Sequence, residues 1–183
     1  MLSDRHKKTL HEIAYQSIEQ GLIDGREPVI DLAKFDQALC EKRSTFVTLK
    51  THDKLRGCIG TLSPVRPLVE DVAHNAYAAA FHDSRFEPLN KTELAALSIH
   101  ISILNSAEDM AFDSEQDLLR QLRPGIDGII LQENTRRATF LPSVWESIDS
   151  RAEFIHHLKL KAGLPKDYWS ENMQIQRYTV DEF

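Results

Sequence analysis

Apolar residues recur every three or four positions in several segments of the chain, which is the spacing of one face of an amphipathic helix. The first segment covers residues 4–21, with Ser3 as its predicted N-cap. A second has Pro67 near its first turn, where the missing N–H is tolerated, and runs to about His82. Shorter helical segments are predicted at residues 32–39, at 115–122 directly after Ser114, and at 151–161, where Ser150 and Glu153 form a capping-box pattern.

Other segments alternate between apolar and polar residues, which is the two-residue period of a half-buried strand. Strands are predicted at residues 46–50, 55–62, 99–104, 128–131, 137–141 and 175–180. Helices and hairpins are interleaved without the regular rhythm of βαβ units. The pattern therefore predicts an α+β fold with a mostly antiparallel sheet packed against helices.

The register of the first hairpin follows from the faces that its side chains must share. A three-residue loop at residues 52–54 sets Thr48 opposite Cys58 and Lys50 opposite Arg56. This register gives one apolar and one polar face, so we prefer it to a two-residue loop. Cys58 is then predicted to lie on the polar face, with Arg56 two residues away.

The second strand of this hairpin carries the heptad Leu55-Arg56-Gly57-Cys58-Ile59-Gly60-Thr61. Glycine adds no packing to a strand, so Gly57 and Gly60 indicate a bend or a close approach of another group. They are candidate ligand-binding residues that admit a substrate to Cys58, or they let a neighbouring helix pack tightly. A cation near a thiol favours the thiolate, which is the reactive form. Two hypotheses stay open: Cys58 is reactive or binds a ligand, or it is a small inert residue covered by a helix. The inert role is the commoner one for cysteine.

Arg85 and Arg137 are the other candidate ligand-binding residues. Arg85 lies in the loop after the predicted helix end at His82, where it either reaches an anionic ligand or pairs with Asp83 to fix the turn. Arg137 begins a later strand, where an arginine is most often solvated. It joins Arg56 only if the two strands are neighbours.

Composition limits the class of protein. The chain has 183 residues, which suits one domain with a small appended subdomain. Its net charge of -6 argues against a general nucleic-acid binder. It has no apolar signal region and no apolar run near the ~20 residues that span a bilayer, so no membrane partner is expected. Cys40 and Cys58 make no disulfide framework, which favours free thiols in a reducing cytoplasm. The histidine spacing predicts no metal site, and no motif names a cofactor.

The heptad resembles the defining motif of the AmmeMemoRadiSam system protein A family, also called the AMMECR domain. The likeness extends in order through five further segments of the chain: residues 46–49, 83–86, 128–131, 139–145 and 161–165. Two departures are visible. Ser84 stands where the family usually has proline, and Ser143 stands where it often has glutamine.

The resemblance implies an α+β domain with a larger lobe and a smaller one. We therefore expect a single AMMECR-type domain over residues 1–183, with a small lobe inserted around residues 85–125. The resemblance also implies a cytoplasmic protein that acts in a pathway with a Memo-like protein and a radical-SAM protein. The family has no settled biochemical activity, so the resemblance carries over a fold and a site rather than a reaction.

Two functions of different classes are therefore predicted. In the first, the protein is an enzyme acting on a small anionic substrate. Cys58 is its nucleophile or redox group, Arg56 and Arg85 bind the anion, and Arg137 is a weaker candidate. In the second, the protein is a non-catalytic module that binds a substrate or one of the partner proteins. Nucleic-acid binding is disfavoured, because no basic and aromatic platform is evident.

Overall fold

The computed structural model describes residues 2–183, which form two compact units. The first unit runs to Leu104 and also includes Asp181–Phe183, and the second unit is Asn105–Val180. From the sequence, we expected a smaller lobe inserted around residues 85–125. The second unit begins further along the chain, at Asn105, because the strand Leu97–Leu104 pairs along its whole length with the strand Ser44–Thr51 and so belongs to the first unit.

The elements follow one another in an order that interleaves helices with hairpins, as an α+β fold requires. Short 3-10 turns lie at Leu32–Lys34, Leu94–Ala96 and Pro142–Glu146. The helices and strands are α1 (Asp4–Asp24), α2 (Gln37–Cys40), β1 (Ser44–Thr51), β2 (Lys54–Gly60), α3 (Leu68–Phe81), β3 (Leu97–Leu104), β4 (Glu108–Asp109), α4 (Glu115–Gln121), β5 (Gly128–Glu133), β6 (Arg136–Phe140), α5 (Arg151–Lys161), β7 (Gln174–Tyr178) and β8 (Val180–Glu182).

The first unit is built on an antiparallel sheet with the strand order β2-β1-β3-β8. Helices α1 and α3 pack against this sheet and against each other. The α1 residues that the apolar spacing placed on one stripe are buried, among them Leu10 and Ile18, and Ser3 accepts the backbone N–H of His6 as the predicted N-cap. The core also takes Val47 and Leu49 from β1.

The hairpin between β1 and β2 differs from its prediction. A two-residue turn at His52 and Asp53, both with positive φ, joins the strands, so the three-residue loop is wrong. Such turns match the twist of antiparallel strands. A register shift between Leu49 and Lys50 absorbs the extra residue as a bulge. The predicted pairing of Thr48 with Cys58 is therefore confirmed, whereas Lys50 lies opposite Leu55 rather than Arg56.

The helix predicted over residues 32–39 is interrupted. Its first part is the 3-10 turn Leu32–Lys34, and its last part is the one-turn helix α2. Asp31 caps the turn by accepting the backbone N–H of Ala33, and Asp36 has extended backbone between the two pieces. Two aspartates that each start a new turn explain why one helix does not form.

The second unit is built on a second antiparallel sheet, with the strand order β4-β7-β5-β6. Ser114 and Ser150 cap α4 and α5 as the sequence predicted. Trp145 is buried, as expected for a core aromatic, and stacks on Phe154 with ring centroids 3.8 Å apart. This unit has a hydrophobic core of its own, drawn from both helices and the sheet.

Candidate functional site

Cys58 lies on β2, which is an edge strand of the first sheet. Because side chains alternate along a strand and Gly57 faces α3, Cys58 lies on the opposite face of the sheet. Its Sγ atom is 3.3 Å from the hydroxyl oxygen of Thr48, and the residue is half-buried. The thiol is therefore not sealed beneath α3.

The outward backbone groups of Cys58 are satisfied by two side chains instead of a further strand. Its N–H donates to Asp83 Oδ2 at 2.9 Å, and its carbonyl oxygen accepts from Arg85 Nη2 at 3.3 Å. Arg85 also donates to both oxygens of Asp83, at 2.9 and 2.7 Å, which confirms the ion pair considered from the sequence. An edge strand that is capped in this way cannot pair freely with another chain.

The pair of Asp83 and Arg85 is charged. The hydrogen bond from the Arg85 side chain, together with the backbone N–H groups of Cys58 and Arg85, holds the pKa of Asp83 well below its usual range, against the opposing effect of burial. The same hydrogen bond raises the pKa of Arg85. Yet the Arg85 side chain is 55% exposed, so part of its guanidinium still faces solvent.

Arg56 is held by a second carboxylate. Its Nε and Nη2 atoms donate to the two oxygens of Glu93, at 2.6 and 3.1 Å, and Nη2 also donates to the carbonyl oxygen of Glu87 at 2.9 Å. The hydrogen bond from Arg56 lowers the pKa of Glu93. The remaining nitrogen, Nη1, is buried and has no hydrogen-bond partner among residues 2–183.

The ring of Phe86 lies near both guanidinium groups. Its centroid is 5.9 Å from Cζ of Arg56 and 5.5 Å from Cζ of Arg85, both within the range of cation–π interactions. We call Arg56, Cys58, Asp83, Arg85, Phe86 and Glu93 together the Cys58 surface. The structure therefore brings together the thiol and two of the arginines that the sequence singled out.

Gly57 and Gly60 have packing reasons for being glycine. A Cβ atom at Gly57 would overlap the carbonyl oxygen of Ala79 in α3, and one at Gly60 would overlap the ring of Phe46. The close approach that the sequence predicted at these glycines is therefore made by a helix backbone and an aromatic ring. Their predicted part in ligand binding stays a prediction.

Arg137 lies on β6, opposite Gln132, and its side chain is exposed. Strand β6 belongs to the sheet of the second unit and pairs there with β5. The sequence made its contribution conditional on the two strands being neighbours. Strands β6 and β2 belong to different sheets and are not neighbours within them, so Arg137 is not counted among the residues of the Cys58 surface.

Thr61, the last residue of the heptad, enters a buried polar network. The Asp71 carboxylate is fully buried and accepts hydrogen bonds from the hydroxyl of Thr61 at 3.0 Å and of Thr45 at 2.8 Å. Asn75 donates to the same carboxylate and to the carbonyl oxygen of Thr45, at 3.1 Å. Asn75 thus binds a backbone carbonyl, and the network fixes α3 against β1 and against the end of β2.

Sequence reasoning missed Glu93 and Phe86. Glu93 lies 37 residues from Arg56 in an irregular segment, so no helical or strand spacing could connect the two. Phe86 follows Arg85 directly, but its position between two cations depends on how the segment after α3 folds back. The only local signal was the charged and aromatic composition of residues 83–87.

Two kinds of feature are absent from the part of the chain that the structure describes. No group of three or more His, Cys, Asp or Glu side chains is placed to hold a metal ion there. No helix within residues 2–183 is long and apolar enough to cross a membrane.

The sequence of this chain matches a known protein family. A family model described as AMMECR1 matches residues 11–183, which is most of the chain. The chain belongs to the AMMECR1 family. The match contains both compact units almost entirely, including every residue of the Cys58 surface, so the resemblance drawn from the heptad is confirmed at the level of the domain.

Other AMMECR1-family proteins have similar sequences and a similar fold. A Methanopyrus kandleri protein is 39% identical over 141 residues, covering 73% of this chain and 66% of its own length, just under two thirds. A Methanocaldococcus jannaschii protein is 34% identical over 176 residues, covering 92% of this chain and 85% of its own. The crystal structure of the uncharacterized protein PH0010 from Pyrococcus horikoshii matches with a TM-score of 0.86 and 31% identity, covering 94% of this chain and 88% of that one.

Proposed function

We propose that this AMMECR1-family protein binds a small anionic molecule on the Cys58 surface. The observation that carries the proposal is the pair of guanidinium groups beside one half-buried thiol, with the Arg85 side chain 55% exposed. Guanidinium groups recognise carboxylates and phosphates through their N–H groups. The ring of Phe86 between them offers an apolar contact to the rest of the molecule.

The carboxylates of this surface do not prevent the binding of an anion. Glu93 and Asp83 neutralise the two cations in part, yet each engages only the Nε and Nη2 side of its arginine. They thereby hold the guanidinium planes in place, which reduces the entropy that a ligand would have to remove. Arg85, at 55% exposure, is the contact that an incoming anion meets first.

A binding role fits the thiol better than a catalytic one. Among residues 2–183, the hydrogen-bonding neighbour of Cys58 Sγ is the Thr48 hydroxyl, and no imidazole or carboxylate lies within hydrogen-bond distance. A nucleophilic thiol is usually paired with a general base. We therefore assign Cys58 the role of a ligand contact.

The second candidate function is an enzyme in which Cys58 is the nucleophile. One observation favours it: Arg85 Nη2 donates to the carbonyl oxygen of Cys58 at 3.3 Å, which places a guanidinium group beside the residue that carries the thiol. An enzyme of this kind would act on the same anionic molecule.

Two alkylating reagents that differ in charge test the proposal. Iodoacetate is an anion and iodoacetamide is its neutral counterpart, and Cys40 serves as an internal reference thiol. If the Cys58 surface attracts small anions, the rate ratio of iodoacetate to iodoacetamide is severalfold higher at Cys58 than at Cys40, as measured by mass spectrometry of labelled peptides. Arg85→Gln brings the two ratios together, because it removes the exposed cation.

The matched control is Arg26→Gln, which removes the same charge from an exposed position elsewhere in the first unit. It leaves both ratios unchanged. Equal ratios at the two cysteines in the native protein would refute anion binding at this surface. Faster reaction of Cys58 than of Cys40 with the neutral reagent would favour the enzyme, whereas comparable rates favour the binding module.

We also propose that the protein acts in the cytoplasm, in a pathway with a Memo-like protein and a radical-SAM protein. Support for the pathway is the family resemblance, and support for the compartment is that Cys40 and Cys58 are both free thiols. In that setting a module that binds a small anion would present it to a partner enzyme.

A further inference from the structure

A small polar cavity lies in the second unit, and none of its lining residues belongs to the Cys58 surface. Its volume is about 60 Å³. We call it the Arg123 cavity, and its lining residues are Ser106, Glu108, Arg123, Arg177, Tyr178 and Thr179. Two guanidinium groups and two aliphatic hydroxyl groups around so small a cavity are typical of an anion-binding site.

Arg123 is fixed rigidly at the edge of this cavity. Its backbone N–H and its side-chain Nε and Nη2 atoms donate to the carboxylate of Asp127, at distances from 2.6 to 3.2 Å. Asp127 is fully buried, and its carbonyl oxygen accepts the indole N–H of Trp145 at 2.8 Å. The whole Nε–Nη2 side of Arg123 is thus used for positioning, which leaves Nη1 for a ligand.

Arg177 is held much more loosely. Its ion pair is with Glu108, its neighbour across the β4–β7 pairing, at an Nη2–Oε2 distance of 3.5 Å. The Glu108 side chain is 71% exposed, so an incoming anion can replace it at the cost of a weak surface ion pair. The charge of Glu108 also acts on Arg123, where it raises the pKa slightly after the larger effects of Asp127.

Thr179 is the neutral group of the cavity whose contacts leave a hydrogen bond to donate, whereas the Tyr178 hydroxyl already donates to the carbonyl oxygen of Phe140. Thr179 Oγ1 accepts from the side-chain amide of Asn105 at 3.0 Å, so its own proton remains for another acceptor. Burial raises the pKa of Tyr178 to about 12, so this phenol adds no negative charge at neutral pH. The charged groups that face the cavity are therefore the two arginines and Glu108, with Asp127 behind Arg123.

We propose that the Arg123 cavity binds a tetrahedral oxyanion, namely a phosphate group. A water molecule needs about 10–15 Å³ of such space, so 60 Å³ holds roughly four to six water-sized atoms, enough for the four oxygens of a phosphate. Arg123 Nη1 and the free side of Arg177 donate to the phosphate oxygens, the hydroxyls of Thr179 and Ser106 complete the site, and Glu108 moves aside into solvent.

Calorimetric titration of the full chain with inorganic phosphate and with glycerol 3-phosphate tests this site. Arg177→Gln is expected to weaken binding about tenfold or more, because it removes charge-assisted hydrogen bonds. Glu108→Gln is expected to strengthen binding severalfold, because it removes the competing carboxylate. These two residues are exposed or half-exposed, whereas a change of Arg123 would leave Asp127 buried without a partner and endanger the fold.

Arg120→Gln is the matched control, because it removes an exposed arginine of the same unit outside the cavity lining. It leaves the affinity of the cavity unchanged. Repeating the titrations in an Arg85→Gln background, in which the Cys58 surface has lost its exposed cation, separates the two sites. Binding of both probes identifies the phosphate ion itself as sufficient, and binding of the ester alone identifies a phosphate group carried by a small molecule. Absence of binding by both probes, or equal affinity in Arg177→Gln, would overturn the proposal.

Discussion

Gly57 shows how one missing side chain positions the Cys58 surface. Its Cα faces the backbone of α3 so closely that a Cβ would overlap the carbonyl oxygen of Ala79. A backbone carbonyl in a packed helix cannot turn away as a flexible side chain can. Because Gly57 carries only hydrogen atoms on its Cα, β2 can approach α3 this closely. Cys58, the next residue, then lies on the face of the strand that points away from α3.

Gly57→Ala is expected to destabilise the protein by about 1–3 kcal/mol, or more if the helix cannot shift, since it forces an extra carbon into a closely packed interface. The measurement is urea denaturation at neutral pH, followed by far-ultraviolet circular dichroism. Cys58→Ala is the control, because it changes the adjacent residue on the other face and should cost less than about 1 kcal/mol. Equal costs for the two variants would show that the helix contact does not constrain this position.

At the scale of elements, the network around Asp71 ties the first turn of α3 to the hairpin. Its carboxylate accepts from Thr45 of β1, from Thr61 just after β2, and from Arg66 before the helix. Buried polar groups stabilise a fold only when every member has its partners. The heptad is thus held at one end by the carboxylate of Asp71 and in its middle by that of Asp83.

Asp71→Asn keeps the shape of the side chain but removes its charge and turns one acceptor into a donor. Loss of buried, charge-assisted hydrogen bonds and of the ion pair with Arg66 is expected to cost about 3 kcal/mol. The loss is measured as a fall in the free energy of unfolding. Glu70→Gln, on the same helix turn, is the matched control, with a cost below about 1 kcal/mol. A similar cost for both carboxylates would argue against a special role for the network.

Signals that are local in the sequence located the starts of three helices correctly. Ser3, Ser114 and Ser150 each cap the helix that they were predicted to begin, because a cap depends on residues three positions away. The hairpin was harder, because a two-residue turn with a bulge and a three-residue loop give the same pairing of Thr48 with Cys58. Only backbone geometry distinguishes them.

At the scale of the whole molecule, the contacts that sequence could not supply are the long-range ones. The pairing of Arg56 with Glu93 closes a loop of 37 residues. The boundary at Leu104 depends on the pairing of β3 with β1, which no spacing rule reveals. The family resemblance covered most of the chain, yet it could not give these contacts, because motifs carry residue identity and not distance.

The two carboxylates of the Cys58 surface, Asp83 and Glu93, make the folded molecule less stable as the pH becomes acidic. Arg85 lowers the pKa of Asp83, and Arg56 lowers that of Glu93. A carboxylate with a pKa lower in the folded than in the unfolded state, where it is about 4, contributes stability that is complete above the unfolded value. That contribution is lost as the pH falls from about 5 through the folded-state pKa. Acid therefore weakens the fold through these pairs.

Asp83→Asn removes the more strongly shifted carboxylate. The variant is expected to be less stable than the native protein at pH 7. The difference should shrink steadily between about pH 5 and pH 3, because Asp83 takes up a proton in the unfolded chain while it stays ionised in the folded protein. The free energy of unfolding in urea, measured at intervals over this range, gives the comparison. Glu19→Gln, at an exposed position of α1, should follow the native curve within about 0.5 kcal/mol. A difference between Asp83→Asn and the native protein that stays constant from pH 7 to pH 3 would show that the ion pair with Arg85 is not the source of the acid sensitivity.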